Sequence, residues 1–329
     1  MRHLVIAALF TTTALAPAFA QDAKPELTVY TYDSFVSDWG PGPVIEEAFE
    51  ETCNCDLNFV SAGDGAALLS RLRLEGERSE ADIVLGLDTN LMAAAAETGL
   101  FAPSGVSAEY DMPIEWTDET FIPFDWGFFA FVHDKDMTFP ADFEALGASD
   151  VSLVIQDPRS STPGLGLLLW IQTAYGERAG EIWEGLSDNI VTVTPGWSEA
   201  YGLFLNGEAD AVLSYTTSPA YHVIAEDDDS KTSAAMAEGN YLQIEVAAKL
   251  AATDQPDLAD QFLEFMVTNG FQSAIPTTNW MYPSVMPDDG LPDGFEGLVT
   301  PDKALLIAPA DVPGMRKEAL DTWQAALNR

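Results

Sequence analysis

Runs of strand length alternate with runs of helix length, twice over. This alternation constrains the fold more than any other feature of the chain. In the first series, residues 27–32, 57–60 and 83–87 are β-branched, aromatic or wholly apolar. Residues 44–51, 66–74 and 89–98 carry helical spacing, and Gly99 supplies a C-cap signal. The pattern predicts an α/β fold of doubly wound parallel strands covered by helices. A dense aromatic run, 124–132, reads as one long strand. The second series runs through 151–155, 165–174, 182–186, 190–193, 197–205 and 211–215, and a further apolar strand spans 241–247. Beyond Pro256 the chain reads as helical, interrupted by a Pro/Gly/Asp-rich loop over 283–297, and 309–327 ends in an amphipathic helix. Two α/β series joined by two apolar strands predict two doubly wound sheets, one per lobe. A double crossover hinge near 123–128 and 241–246 would join them, with an interlobe cleft that can hold a ligand. Lobe 1 is then 21–124 plus 247–329, and lobe 2 is 125–246.

The first twenty residues read as an export leader. Arg2 and His3 are followed by an apolar run over 4–15, and Ala18-Phe19-Ala20 fits the small-x-small cleavage rule, with the cut after Ala20. That run is too short to span a bilayer, and no later stretch is long enough. With no cysteine beside the cut, no lipid anchor is expected. Cys53 and Cys55 are the only cysteines. In an exported chain they are expected to pair, closing a small, local ring.

Fifty-three acids against fourteen bases give a net charge of −39, one unit more negative once Arg2 leaves with the leader. Such a chain repels nucleic acid and anionic membranes and attracts cations. The acids are spread along the whole sequence, as in a solvated surface.

Residues 156–166, Gln-Asp-Pro-Arg-Ser-Ser-Thr-Pro-Gly-Leu-Gly, lie between a β-branched run and an apolar helix. Pro163 suits the first helical turn. A strand–loop–helix corner of this kind presents free N–H groups and a helix dipole, which suits an anion, although Ser and Thr cap ordinary helices too. In open α/β sheets ligands gather beyond the carboxyl ends of strands. There the sequence places Tyr32, Asp33, Ser34 and Trp39, then Gly63-Asp64-Gly65, then Asp88. The second series adds Ser161 and Thr162, Trp197, and Tyr215-Thr216-Thr217-Ser218; Thr277-Thr278-Asn279-Trp280 comes late. Trp39, Trp197, Tyr221 and Trp280 together suggest a shared aromatic cleft. Aromatic faces suit a planar cation, at roughly 0.5–2 kcal/mol per well-placed ring. Hydroxyls and glycine amides suit phosphate oxygens or ring nitrogens. Catalytic and metal readings find little support. His133 and His222 lack ligand spacing, and there is no nucleophile elbow, phosphate-loop lysine or His-Glu-x-x-His.

Taken together, Thr28-Val-Tyr-Thr-Tyr-Asp-Ser-Phe35, Asp38-Trp-Gly-Pro-Gly-Pro43, Cys53-Asn-Cys55, the 156–166 corner, Gly196-Trp-Ser-Glu-Ala-Tyr-Gly-Leu-Phe-Leu205, Leu213-Ser-Tyr-Thr-Thr-Ser-Pro-Ala-Tyr-His222 and Asn279-Trp-Met-Tyr-Pro283 resemble the thiamine-binding periplasmic proteins of bacterial ABC importers. The match runs in order over nearly the whole mature chain. It implies a two-lobed periplasmic-binding-protein fold of type II and a periplasmic location. It also implies a monomer, neither enzyme nor cofactor protein, that closes on thiamine, thiamine monophosphate or thiamine diphosphate. The ligand would then pass to a membrane permease driven by an ATPase. Carried over, the binding positions are Asp64 and Gly65, Ser161 and Thr162, Trp197, and Tyr215, Thr216, Thr217 and Ser218. Tyr32, Trp39, Tyr221 and Trp280 fit as further cleft aromatics. The acid-rich surface departs from typical members and bears on the contacts with the permease rather than on the cleft. Thiamine-cleaving enzymes resemble this fold but need a free cysteine nucleophile, which a Cys53–Cys55 pair would not supply. A two-lobed binder of polyamines, drawn by the acidic charge, is the second reading. Ferric binders often use adjacent tyrosines, which this sequence lacks.

Overall fold

A computed structural model describes residues 24–327, so the expected leader lies outside the described residues. The main strands are β1 (Glu26–Thr31), β2 (Asp56–Ser61), β3 (Ile83–Asp88), β4 (Ile122–Asp134), β5 (Leu153–Gln156), β6 (Ile190–Thr194), β7 (Ala211–Tyr215), β8 (Lys231–Ser233) and β9 (Asn240–Lys249). The helices are α1 (Gly42–Cys53), α2 (Gly65–Glu75), α3 (Met92–Ala96), α4 (Phe143–Gly147), α5 (Thr162–Tyr175), α6 (Ala179–Leu186), α7 (Trp197–Leu205), α8 (Pro219–Ala225), α9 (Pro256–Phe265), α10 (Asn269–Gln272) and α11 (Val312–Leu327).

The strands lie in the order β2-β1-β3-β9-β4-β7-β5-β6. Within each series the pairing is parallel: β1 with β2 and β3, and β5 with β6 and β7. Both series share one plan. The first strand is central, the second forms the outer edge, and the third faces the crossover strands. β4 joins the two. Its first half pairs antiparallel with β9, and from Phe129 onward it pairs with β7 and then β8. Both segments read as crossovers therefore lie in long antiparallel strands at the centre of one hydrogen-bonded path.

Burial follows position. β3 is buried along its whole length, as a strand covered on both faces must be. β6 sits at the edge and leaves Val191 and Val193 exposed. α1 turns Ile45 and Phe49, one helical turn apart, onto a cluster with Phe262 of α9 and Phe271 of α10. α5 is buried at every residue from 162 to 171 because the sheet, α6, α11 and α2 all pack against it. Gly166 permits this approach, since a Cβ there would collide with the Phe129 ring.

Three differences from the sequence reading have local causes. The helix expected over 89–98 forms only as α3, because the Asp88 carboxylate accepts from the Asn90 side chain (2.7 Å) and the Leu91 amide (3.1 Å), holding a turn ahead of it. Residues Ile275–Asn279, within the stretch read as helical, form a single π-helical turn rather than regular α-helix. The third concerns α11. It buries Val312, Ala319, Trp323 and Ala326 mainly against α5 and α6, helices of the second series, although 247–329 was assigned to lobe 1. Cys53, the last residue of α1, is bonded to Cys55, and Asn54 between them takes the left-handed conformation at φ 50°.

Candidate functional site

The carboxyl ends of both strand series face a cavity of about 500 Å³. That size suits a small-molecule site. Its floor is polar. Tyr32, just beyond β1, donates its hydroxyl to Glu245 Oε2 of β9 at 2.8 Å. Asn279 Nδ2 donates to Tyr32 Oη (2.9 Å) and to Asp125 Oδ2 of β4 (2.6 Å). Asp125 Oδ1 is buried and meets no donor. Burial, followed by the charge of Asp125, holds Glu245 well above the usual carboxylate range, and burial likewise raises Asp125. Asp88, at the end of β3, is raised to about 7 by burial, against the opposing pull of Asn90 and the Leu91 amide.

One wall comes from the first series. Asp64 caps α2, and its Oδ1 accepts from the Gly65 amide at 2.8 Å. Its Oδ2 accepts the Ser161 hydroxyl at 2.8 Å, so the N-termini of α2 and α5 meet through one carboxylate. Burial raises the Asp64 carboxyl, while Ser161 and the amides of Gly65 and Thr162 oppose the shift. Gly65 is required here: a Cβ would strike Thr162 Oγ1 and come within 2.9 Å of the Gly86 carbonyl. The Ser160 carbonyl accepts from the Ala67 amide at 3.0 Å, which closes the same contact.

The opposite wall is aromatic and belongs to the second series. Trp197, the first residue of α7, stacks on Tyr201 with centroids 4.9 Å apart. Its Nε1 donates to Ser214 Oγ at 2.8 Å, and the hydroxyls of Ser214 and Ser218 are 2.7 Å apart. Tyr215 stacks on Phe129 at 5.2 Å. Trp39, 53% exposed, reaches across from the first series to lie 6.2 Å from Trp197 at the rim. Tyr221 meets Trp280 edge-on at 5.4 Å. Trp280 has a φ of 58°, rare for a bulky residue, at the end of the π-turn. Backbone strain of this kind gathers at ligand sites because the surrounding structure must hold it.

Of the residues singled out from sequence, Asp64, Trp197, Tyr215, Ser218, Tyr32, Trp39, Tyr221 and Trp280 line the cavity. Gly65, Ser161, Thr162, Thr216 and Thr217 are buried behind its surface. Ser161 is engaged by Asp64, Thr162 Oγ1 and Thr216 Oγ1 meet no partner, and the Thr217 hydroxyl reaches Met281 Sδ at 3.5 Å. Sequence reasoning missed Tyr201, which lines the wall, and above all Glu245 and Asp125. A signal was present, since each is a lone acid inside an apolar strand run, Phe124-Asp125-Trp126 and Ile244-Glu245-Val246.

A family model described as bacterial extracellular solute-binding protein matches residues 40–273. The thiamine-binding periplasmic protein of Escherichia coli (strain K12) is 55% identical over 95% of this chain and 96% of its own length. That of Brucella abortus is 50% identical over 99% and 98%. Among solved structures, a periplasmic thiamin binding protein superposes with a TM-score of 0.91 at 55% identity, over 93% of this chain and 97% of the other. Iron-bound HitA from Pseudomonas aeruginosa, a type II periplasmic binding protein, has a TM-score of 0.73 over 92% of this chain and 99% of its own; at 21% identity it speaks for the fold alone. Family, fold and cleft agree: the chain belongs to the thiamine-binding periplasmic proteins, a family of binding proteins and not of enzymes within the bacterial extracellular solute-binding proteins.

Proposed function

We propose that this protein captures thiamine and its mono- and diphosphate esters in the periplasm and delivers them to a membrane permease driven by an ATPase. The observation that carries this reading is the pairing, in one cavity, of an aromatic wall with a buried acidic floor and the N-termini of α2 and α5, which meet through Asp64. Thiamine offers the complement: two flat rings, a fixed positive charge and, in its esters, a phosphate. Trp197 and Tyr215 pack against the rings, with Tyr32, Trp39, Tyr221 and Trp280 completing the aromatic surface. Asp64 interacts with the aminopyrimidine. Ser161, Thr162 and Gly65, with Thr216, Thr217 and Ser218, form the polar side that receives phosphate. A phosphate there competes with Asp64 for the Ser161 hydroxyl and the first amides of α5. The two lobes close on the ligand about β4 and β9, and α11, packed on α5 and α6, moves with the second lobe. The mature protein begins after Ala20 and acts as a monomer that needs no cofactor.

Native mass spectrometry of freshly purified protein tests this reading. Co-purified thiamine or a thiamine phosphate supports it. Calorimetry that finds no thiamine binding, or a stronger preference for a polyamine, ends it.

A further inference from the structure

Three carboxyls stand in one register row across three neighbouring strands. Asp88 of β3 pairs with Glu245 of β9, and Glu245 pairs with Asp125 of β4. Register partners point to the same face, with Cβ atoms about 4.5–5.5 Å apart. All three are at most 6% exposed, and Glu245 alone lines the cavity. The groups facing Glu245 are Tyr32 beyond β1, Asp125 on β4, Asp88 on β3 and Asp64 at the start of α2; on β7, Tyr215 also feels its charge. Asp125, Asp88 and Asp64 are carboxyls, the two tyrosines are neutral phenols held protonated by burial, and no cation is among them. The cation of α11, Arg316, acts on Asp88 but is not among the groups acting on Glu245. Like charges this close in a buried site cannot all be ionised, so protons must stand in for a missing positive charge. The unpartnered Asp125 Oδ1 fits this account, since a proton shared with Glu245 would satisfy it.

We propose that Glu245 is the counter-charge for the ligand's ring cation, and that binding the cation expels a proton held by the Asp88–Glu245–Asp125 row. The proposal rests on the reading of the cleft as a thiamine site and deepens it by naming the specificity residue. The step balances in charge. A carboxylic acid loses its proton to the buffer, and the permanent charge of the ring takes that proton's place beside the carboxylate. Burial raises Asp88 to about 7 and Asp125 to about 8, and it moves Glu245 in the same direction, so the row holds protons that a bound cation can displace. By linkage, affinity then rises with pH, up to about tenfold per unit where one full proton is released.

Calorimetry on the mature protein tests this, with thiamine titrated near pH 7 into buffers of low and high ionisation enthalpy. The comparison ligand is the uncharged thiophene isostere of thiamine, which keeps the same aminopyrimidine. Proton exchange by that ring therefore appears with both ligands and cancels. The expected result is that thiamine releases about one more proton than the isostere. The Glu245→Gln variant should lose that difference and bind thiamine at least tenfold more weakly, with little change for the isostere. In Asp125→Asn the release should move to lower pH, because a neighbouring acid is gone. Equal proton counts for the two ligands in the unmodified protein overturn the proposal while leaving thiamine binding intact. Failure of thiamine to bind overturns the function itself. The comparison of ligands needs no variant, so a misfolded substitution cannot mask the answer.

Discussion

The two strand series share a topology and differ in what they bring to the cleft. Around β1–β3 the strand ends and the start of α2 carry Tyr32, Asp64 and Asp88, mostly acids. Around β5–β7 they carry two helix N-termini, serine hydroxyls and the Trp197–Tyr201 stack. One plan therefore serves two chemistries, because the fold fixes where strand ends point and the loop residues decide what arrives there. A ligand with a cationic ring and an anionic tail needs both.

The largest effect with which to challenge this contrast concerns the acidic side. Asp88 keeps its proton to about pH 7 when folded, whereas an unfolded aspartate loses it near pH 4. In between the folded chain binds more protons, so stability falls as pH rises from about 4 to about 7, by up to about 1.4 kcal/mol per unit for this group. Thermal melts in the absence of ligand should show the decline, and Asp88→Asn should flatten it. An unchanged slope in the variant would remove Asp88 from the account. On the aromatic side, Trp197→Ala should cost about 2 kcal/mol of thiamine binding, roughly thirtyfold, with the fold intact by circular dichroism. Unchanged affinity would sink the stacking role. Next comes Ser161→Ala, expected to weaken the phosphate esters by about 1 kcal/mol more than free thiamine. Equal losses would mean that Ser161 only holds Asp64 in place. The smallest effect belongs to Trp39→Ala. Its half-exposed ring should contribute about 0.5 kcal/mol, a two- to threefold change in affinity.

Much of this was legible in the sequence, for identifiable reasons. The strands and long helices follow from periodicity, and the polar residues beyond the strands follow from where open sheets expose their ends. Asp125 and Glu245 escaped because each lies inside a strand that reads as core, and only the β3-β9-β4 register shows that they and Asp88 form a row. The shared plan of the two series left no repeat in the sequence, since topology depends on which positions are buried and not on residue identity. The π-turn was hidden because periodicity marks 275–279 as helical without distinguishing an α-helical from a π-helical turn. The partners of α11 were equally hidden, because an amphipathic stripe says that a face is buried and not by what.

The docking of α11 has a consequence for the order in which the molecule can form. A ribosome delivers the chain in sequence order, so α5 and α6 emerge long before residues 312–327, which cover them. Until then Trp183, Leu186 and the outer face of α5 lack their cover. Completion of that layer thus waits for α11. A chain that cannot finish folding early stays threadable, the condition under which an exported polypeptide must cross a membrane.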